Sequence, residues 1–231
     1  MSRRVPEFAV VTGVFLGLSA LVTGVTLGWG LYATVVIGAG VSYPFVAFGI
    51  VRDDDPAATI RPRPVLAAGG LVAALGALGA LLGNPTPAGV LFALLVGVVL
   101  FVPPAAYATR YGADVNPLPP QTTVLAGAAT GFLLLVAGLF VDRPLVGVAV
   151  GGAVALGCAL YGNERGLAVG VRTKRRAAVA GGLLGVGLVG VGVLDGGPLT
   201  EWLLAGAATA LLPSVFLALT ADGDRRSPRS R

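Results

Sequence analysis

An all-α fold, a polytopic transmembrane helix bundle of about eight spans, follows from three features of this 231-residue chain. Only 12% of its residues are charged, while 55% are hydrophobic. Soluble domains carry about 25% charged residues, so the charge here is too sparse to coat a water-facing surface. Uncharged runs recur along the whole length, and about 18 apolar residues in a row can cross a bilayer core. The runs show no period of two, which excludes barrel strands. Inside hydrocarbon a helix alone satisfies its own backbone hydrogen bonds.

The predicted spans are 8–28, 30–51, 65–83, 87–109, 122–141, 145–162, 177–194 and 199–220. Each covers about 30 Å at about 1.5 Å per residue. The first follows Arg3-Arg4 and ends at Gly28; its apolar stretch exceeds the ~7–15 residues of a signal core, so it reads as a retained span. The second carries Pro44 and stops at Arg52. The third begins past Arg61 and Arg63 and ends at Gly83, before a short Asn84-Pro85-Thr86 turn. The fourth opens at Pro87, carries Pro103 and Pro104, and stops before Arg110. The fifth and sixth flank Asp142-Arg143-Pro144, and the sixth contains Cys158. The seventh is rich in glycine and follows Arg172-Thr173-Lys174-Arg175-Arg176; the eighth carries Pro213. What remains for loops and tails is too little for a soluble domain, so residues 1–231 read as a single integral membrane domain.

Short and long connections alternate. The tight ones (29, 83–86, 142–144 and 195–198) hold almost no positive charge, and the longer ones (52–64, 110–121 and 163–176) hold most of it. With the N-terminus inside, Arg143 is the only one of 16 basic residues to fall outside. The positive-inside rule then gives a multi-pass protein of the cell (cytoplasmic) membrane with both termini cytoplasmic. Trp29 and Trp202 come to the outer interface and Tyr43, Tyr107, Tyr111 and Tyr161 toward the inner one, depths that suit amphipathic rings.

The alternation also pairs the spans into four helical hairpins of one orientation, candidate repeats about an axis along the membrane normal. Val10, Val65, Val124 and Val179 are spaced 55, 59 and 55 residues apart. Three residues on stand Gly13, Ala68, Gly127 and Gly182, and fourteen on stand Gly24, Gly79, Gly138 and Val193. Pro44 and Pro213 fall equally far into the first and fourth hairpins, where the third has Cys158 and the second Val99. A chain so rich in Gly, Ala, Val and Leu also aligns with itself by chance, and that explanation stands beside duplication.

Glycines four apart, such as Gly13 and Gly17, Gly127 and Gly131, Gly147 and Gly151, and Gly181 and Gly185, put flat spots on one helix face. With eight helices available, packing inside the chain is favoured over an oligomer interface. The seventh span, with Gly181, Gly182, Gly185, Gly187, Gly190 and Gly192, is expected to be bent or buried.

The chemistry-bearing residues are few. There is no histidine, Met1 is the only methionine, and Cys158 is a lone cysteine. An intrachain disulfide is excluded, and a protein-built metal, haem or other cofactor site is not expected. No catalytic, cofactor-binding or metal-ligating residue is assigned. No Asp, Glu, Lys or Arg lies near the middle of a span, which disfavours a proton-driven pump; Glu201, near the outer end of the eighth span, comes closest. Thr12, Ser19, Thr23, Thr26, Thr34, Ser42, Thr130, Thr209 and Ser214 are mild polar groups, expected to form ordinary helix–helix hydrogen bonds. No nucleophile has a visible base, so the chain is not read as an enzyme. The only compact polar cluster is Tyr161, Glu164 and Arg165. The acidic run 53–55 lacks the further ligands of a calcium loop and reads as solvated surface.

Membrane lipids are the expected partners. The basic residues from Arg172 to Arg176 could hold anionic headgroups at about 1 kcal/mol per charge, although fixing topology also explains them. The positive charges behind the net +5 lie in loops between spans and in the tails, where they set orientation, and do not indicate nucleic-acid binding. Candidate parallel repeats and proline-bearing second helices together suggest a transporter-like or permease-like protein for a neutral or apolar solute. The alternative is a non-catalytic scaffold or assembly subunit of a membrane complex, docking through its glycine faces.

Overall fold

In a computed structural model that describes residues 4–51, 61–112, 116–167, 170–196 and 198–220, the chain is all-helical. The acidic run 53–55 and Arg3, Arg52, Arg225, Arg226, Arg229 and Arg231 lie outside the described residues, as do both termini. Eight helices appear among the described residues: α1 (Arg4–Thr26), α2 (Leu31–Val51), α3 (Pro62–Gly83), α4 (Pro87–Tyr111), α5 (Pro120–Phe140), α6 (Pro144–Glu164), α7 (Val171–Asp195) and α8 (Leu199–Thr220). Each matches one predicted span. Six of them (α1 and α3 to α7) are long and apolar enough to cross a membrane, and α2 is apolar over Leu31–Val46. The chain is thus a multi-pass membrane protein whose helices meet lipid.

Proline sets several of the helix starts. α3, α4, α5 and α6 all open with proline in the first turn, where the missing N–H has no intrahelical partner to lose. Thr86 caps α4 by accepting from the Gly89 N–H at 3.1 Å. The tight turns use left-handed backbone, at Gly196 (φ 69°) after α7 and at Asp142 (φ 57°) after α5. Asp142 is a residue type that tolerates that region.

α7 departs most from expectation. It begins at Val171 rather than 177, so Arg172 to Arg176 stand on the helix and not in a loop. Arginine and lysine are good helix formers, and nothing after Gly170 breaks the helix. Nor is α7 broadly buried. Leu183 is 70% exposed and Val186 74% exposed, with one face alone turned inward.

The described chain divides into two compact units, 1–115 and 116–231. In the first, α1 packs on α2, α3 packs on α4, and the second helices α2 and α4 meet. In the second, α5 packs on α6, α7 packs on α8, and α6 meets α8. Each unit is therefore two hairpins joined through their second helices. In the first unit Tyr32 and Val36 of α2 pack with Ala93 and Val96 of α4, while Tyr43 reaches Val99 further along, so these two helices run the same way.

Candidate functional site

One contact motif recurs in all four hairpins. The first helix of each presents three small residues spaced four and then seven apart: Gly13, Gly17 and Gly24; Gly69, Ala73 and Ala80; Gly127, Gly131 and Gly138; Gly181, Gly185 and Gly192. At 3.6 residues per turn this spacing keeps all three on one face. The middle one turns its carbonyl to a glycine of the second helix. Gly17 O faces Gly38, Ala73 O faces Gly97, Gly131 O faces Gly151 and Gly185 O faces Gly206. The outer two are met at matching places as well. Gly13, Gly69, Gly127 and Gly181 back onto Phe45, Pro104, Cys158 and Pro213, while Gly24, Gly138 and Gly192 back onto Thr34, Gly147 and Trp202. In the second hairpin Ala80 clusters with Ala93 at that place. At the tightest of these places the approach leaves no room for a side chain. A Cβ at Gly131 would lie 2.5 Å from the Gly151 carbonyl oxygen, and one at Gly206 would lie 2.6 Å from that of Gly185.

The repeat is thus present as a packing motif, in a register that differs from the sequence alignment. Gly69 and Gly181 hold the places expected for Ala68 and Gly182. Each belongs to a run of small residues, 67–70 or 181–182, and composition alone does not choose which member packs closest to the partner helix. In the corrected register Pro103 aligns with Pro44, while Pro104 aligns with Cys158 and Pro213; Val99 is not the counterpart of Pro44.

The hairpin seams absorb most of the four-apart glycine pairs. Gly79 instead lies against the Tyr32 hydroxyl, whereas Gly83, Gly182, Gly187 and Gly190 have open space beside them. A glycine face docked to another protein through Gly127 and Gly131 is therefore ruled out in this arrangement, because Cys158, Gly151 and Ala155 already occupy it.

At the centre of the first unit, the second helices are joined by a specific polar contact. The Tyr43 hydroxyl donates to the Val99 carbonyl at 2.7 Å. Four residues beyond Val99 stands Pro103, which has no N–H to offer that carbonyl. Tyr43 thereby satisfies the acceptor that proline frees. In the fourth hairpin Pro213 likewise withholds a donor from Thr209 O, and that oxygen faces α7 at a position where a Gly181 Cβ would lie 2.9 Å away.

The hydroxyls behave differently from expectation. Thr12 bonds Phe8 O, Thr26 bonds Thr23 O, Thr34 bonds Gly30 O, Ser42 bonds Ala39 O, Thr209 bonds Ala205 O and Ser214 bonds Ala210 O, all at 2.8–3.3 Å and all within one helix or its first turn. Sequence reasoning expected bonds between helices. A short side chain reaches back to its own i−3 or i−4 carbonyl more readily than across an interface. Tyr43 is long enough to cross.

Trp202 is buried against its neighbours. It lies 4% exposed among Val148, Leu188 and Ala205, and its Nε1–H has no hydrogen-bond partner. Trp29 stands exposed in the α1–α2 turn. Beside Trp202, Glu201 pairs with Arg143 at 3.3 Å, joining the α5–α6 turn to the start of α8. Glu201 therefore meets the one basic residue that the charge split leaves outside, where headgroups were expected. At the opposite helix ends, Arg110 stands 5.9 Å from the Tyr111 ring and Arg165 stands 5.7 Å from that of Tyr161. The Tyr161 and Arg165 portion of the predicted polar cluster is a cation–ring stack at the end of α6. Two hollows open on the second unit, one of about 170 Å³ bordered by Gln121 and Arg165 and one of about 420 Å³ on α7.

No protein-family model matches this chain, and no curated protein or solved structure is similar to it.

Proposed function

We propose that the protein is a permease-like facilitator for a small neutral solute, set in the cell membrane with both termini in the cytoplasm. The observation that carries this reading is the Tyr43–Val99 contact at the junction of α2 and α4. A proline-freed carbonyl in hydrocarbon needs a donor. Here the donor is a side-chain hydroxyl that can be exchanged for one from a neutral solute. Main-chain acceptors freed where membrane helices are interrupted line the sites of transporters, where they coordinate coupling ions. The lack of a mid-span Asp, Glu, Lys or Arg fits a solute that carries no charge and a step that moves no proton. No catalysis is part of the proposal.

The orientation rests on charge. By the alternation of spans along the sequence, Arg61, Arg63, Arg110, Arg165, Arg172, Lys174, Arg175 and Arg176 fall in or beside the longer connections, and Arg143, in a tight one, pairs with Glu201. The basic set belongs on the cytoplasmic leaflet, where anionic headgroups attract it.

Flux into sealed vesicles, followed by light scattering with urea and glycerol as osmolytes, tests the activity. Faster swelling than in protein-free vesicles, altered by Tyr43→Phe, is expected. Rates equal to the protein-free control for both solutes would reject the permease reading. Labelling of Asn84→Cys and Gly166→Cys in a Cys158→Ser background tests the orientation, with Asn84→Cys reached from outside and Gly166→Cys from inside. The assembly-subunit reading keeps one observation in its favour. Gly182, Gly187 and Gly190 on α7 are not used by the hairpin seam. Gentle purification that yields a partner lost on Gly187→Leu would support it.

A further inference from the structure

We infer that the outward face of α7 is a binding site for an anionic phospholipid. The inference rests on the membrane placement proposed above. The basic run is not one patch, because the helix divides it. Lys174 turns inward, 4% exposed, with its ammonium 5.9 Å from the Phe216 ring of α8. Arg172, Arg175 and Arg176 turn the other way and are exposed. They are i, i+3 and i+4 on one face, where neighbouring side chains stand about 5–6 Å apart.

The same face continues as Val179, Ala180 and Leu183. The six residues border the hollow of about 420 Å³. Three guanidinium groups thus stand at one end of an open apolar strip on the helix, a shallow trough in that Ala180 is smaller than Val179 and Leu183 beside it. That is the chemistry of a phospholipid: a phosphate diester for the arginines, which offer paired donors to its oxygens, and an acyl chain along Val179 and Leu183. A zwitterionic headgroup offers the same phosphate but sets its own cation beside three like charges, which an anionic headgroup does not. A soluble phosphate would leave the trough bare. Leu183 is 70% exposed and Val179 58% exposed, apolar surfaces that suit an acyl chain.

Native mass spectrometry of the detergent-purified full chain tests the site, using phosphatidylglycerol and phosphatidylcholine with identical acyl chains. Phosphatidylglycerol should be retained at least tenfold better. Each arginine replaced by glutamine should weaken retention about fivefold, the equivalent of about 1 kcal/mol per charge. The triple variant should then bind the two lipids alike. Ala180→Phe fills the trough with all charges kept and should also weaken retention, while Arg61→Gln with Arg63→Gln should leave it unchanged. Equal retention of phosphatidylglycerol by the wild type and the triple variant overturns the site, as does an equal loss on changing Arg61 and Arg63. Displacement by millimolar glycerol phosphate overturns the lipid assignment, since the trough would then contribute nothing. Thermal midpoints within a few degrees of wild type show that the variants are folded. The cysteine-labelling result separates the two readings, because a reversed topology with intact arginine-dependent retention rejects the orientation and spares the site.

Discussion

Two glycine-to-alanine changes in the third hairpin should have opposite signs. Gly131 on α5 faces the Gly151 carbonyl so closely that an added methyl carbon would sit 2.5 Å from the oxygen, 3.0 Å from the Ala155 Cβ and 3.3 Å from the Gly151 carbonyl carbon. Two of these three neighbours are backbone, so no rotamer relieves the clash. Ordinary carbon contacts lie near 3.5 Å, which requires the helices to part by about 1 Å along this seam. Overpacking of this kind costs about 1–3 kcal/mol. Gly157 lies on α6, the opposing helix, and has nothing within 4 Å. Alanine there only removes the helix penalty of glycine, a gain of about 0.5–1 kcal/mol. The same chemical change should therefore give stabilities that differ by about 1.5–4 kcal/mol. Unfolding in mixed micelles with increasing sodium dodecyl sulfate, followed by circular dichroism, measures both. Gly131→Ala should lower the midpoint and Gly157→Ala should hold or raise it. Midpoints that move together, in either direction, would refute the assignment of the seam.

Other perturbations follow from single contacts. Tyr43→Phe should lower stability by about 1 kcal/mol, the scale of an interhelical hydrogen bond in a membrane. The loss should shrink in a Pro103→Ala background, whose restored N–H can bond Val99 O, and a double-mutant cycle by micellar unfolding reads this coupling. Trp202→Phe should leave stability within about 1 kcal/mol because its Nε1–H has no partner to lose. Trp202→Ala should lower stability by about 3–5 kcal/mol by emptying the pocket against Gly192. Arg143→Gln should cost under about 1 kcal/mol, and less in high salt, since the guanidinium of this pair is 56% exposed.

Hydrophobicity and charge make the helices legible in the chain itself. Apolar runs fix helix type and number, because the bilayer leaves the backbone one local solution. Helix starts are legible to the extent that proline sits at Pro62, Pro87, Pro120 and Pro144. The α7 start is not, since Arg172 to Arg176 read as loop by polarity although nothing in them breaks a helix. Register is legible only to within one residue. Gly69 and Gly70, or Gly181 and Gly182, differ solely in which one packs closest to a partner helix, and that is decided by the partner. The Tyr43–Val99 bond spans 56 residues. A sequence signal for it does exist, since any mid-span proline frees the carbonyl four residues earlier and so asks for a donor nearby. The burial of Trp202 has no such signal. Its interfacial depth suits exposure or burial alike, and Gly192 decides the outcome by leaving room for the indole.

What the four hairpins share and what they do not share lie in different places. The shared part is the seam: a small residue opposite a glycine at Gly17 and Gly38, Ala73 and Gly97, Gly131 and Gly151, and Gly185 and Gly206. It brings two helices together in a solvent where apolar surface provides no drive for association. The unshared part begins a turn further along the second helix. There the aligned triplets read Tyr43-Pro44-Phe45, Val102-Pro103-Pro104, Leu156-Gly157-Cys158 and Leu211-Leu212-Pro213. If packing were the only requirement at that level, one solution would serve in all four. Instead the first hairpin carries the donor, the second carries the proline that frees its acceptor, and the third has no proline. A division of this kind sets the α2–α4 junction apart from the glycine seams. Variants there should alter solute flux more than stability, whereas variants along the glycine seams should alter stability first.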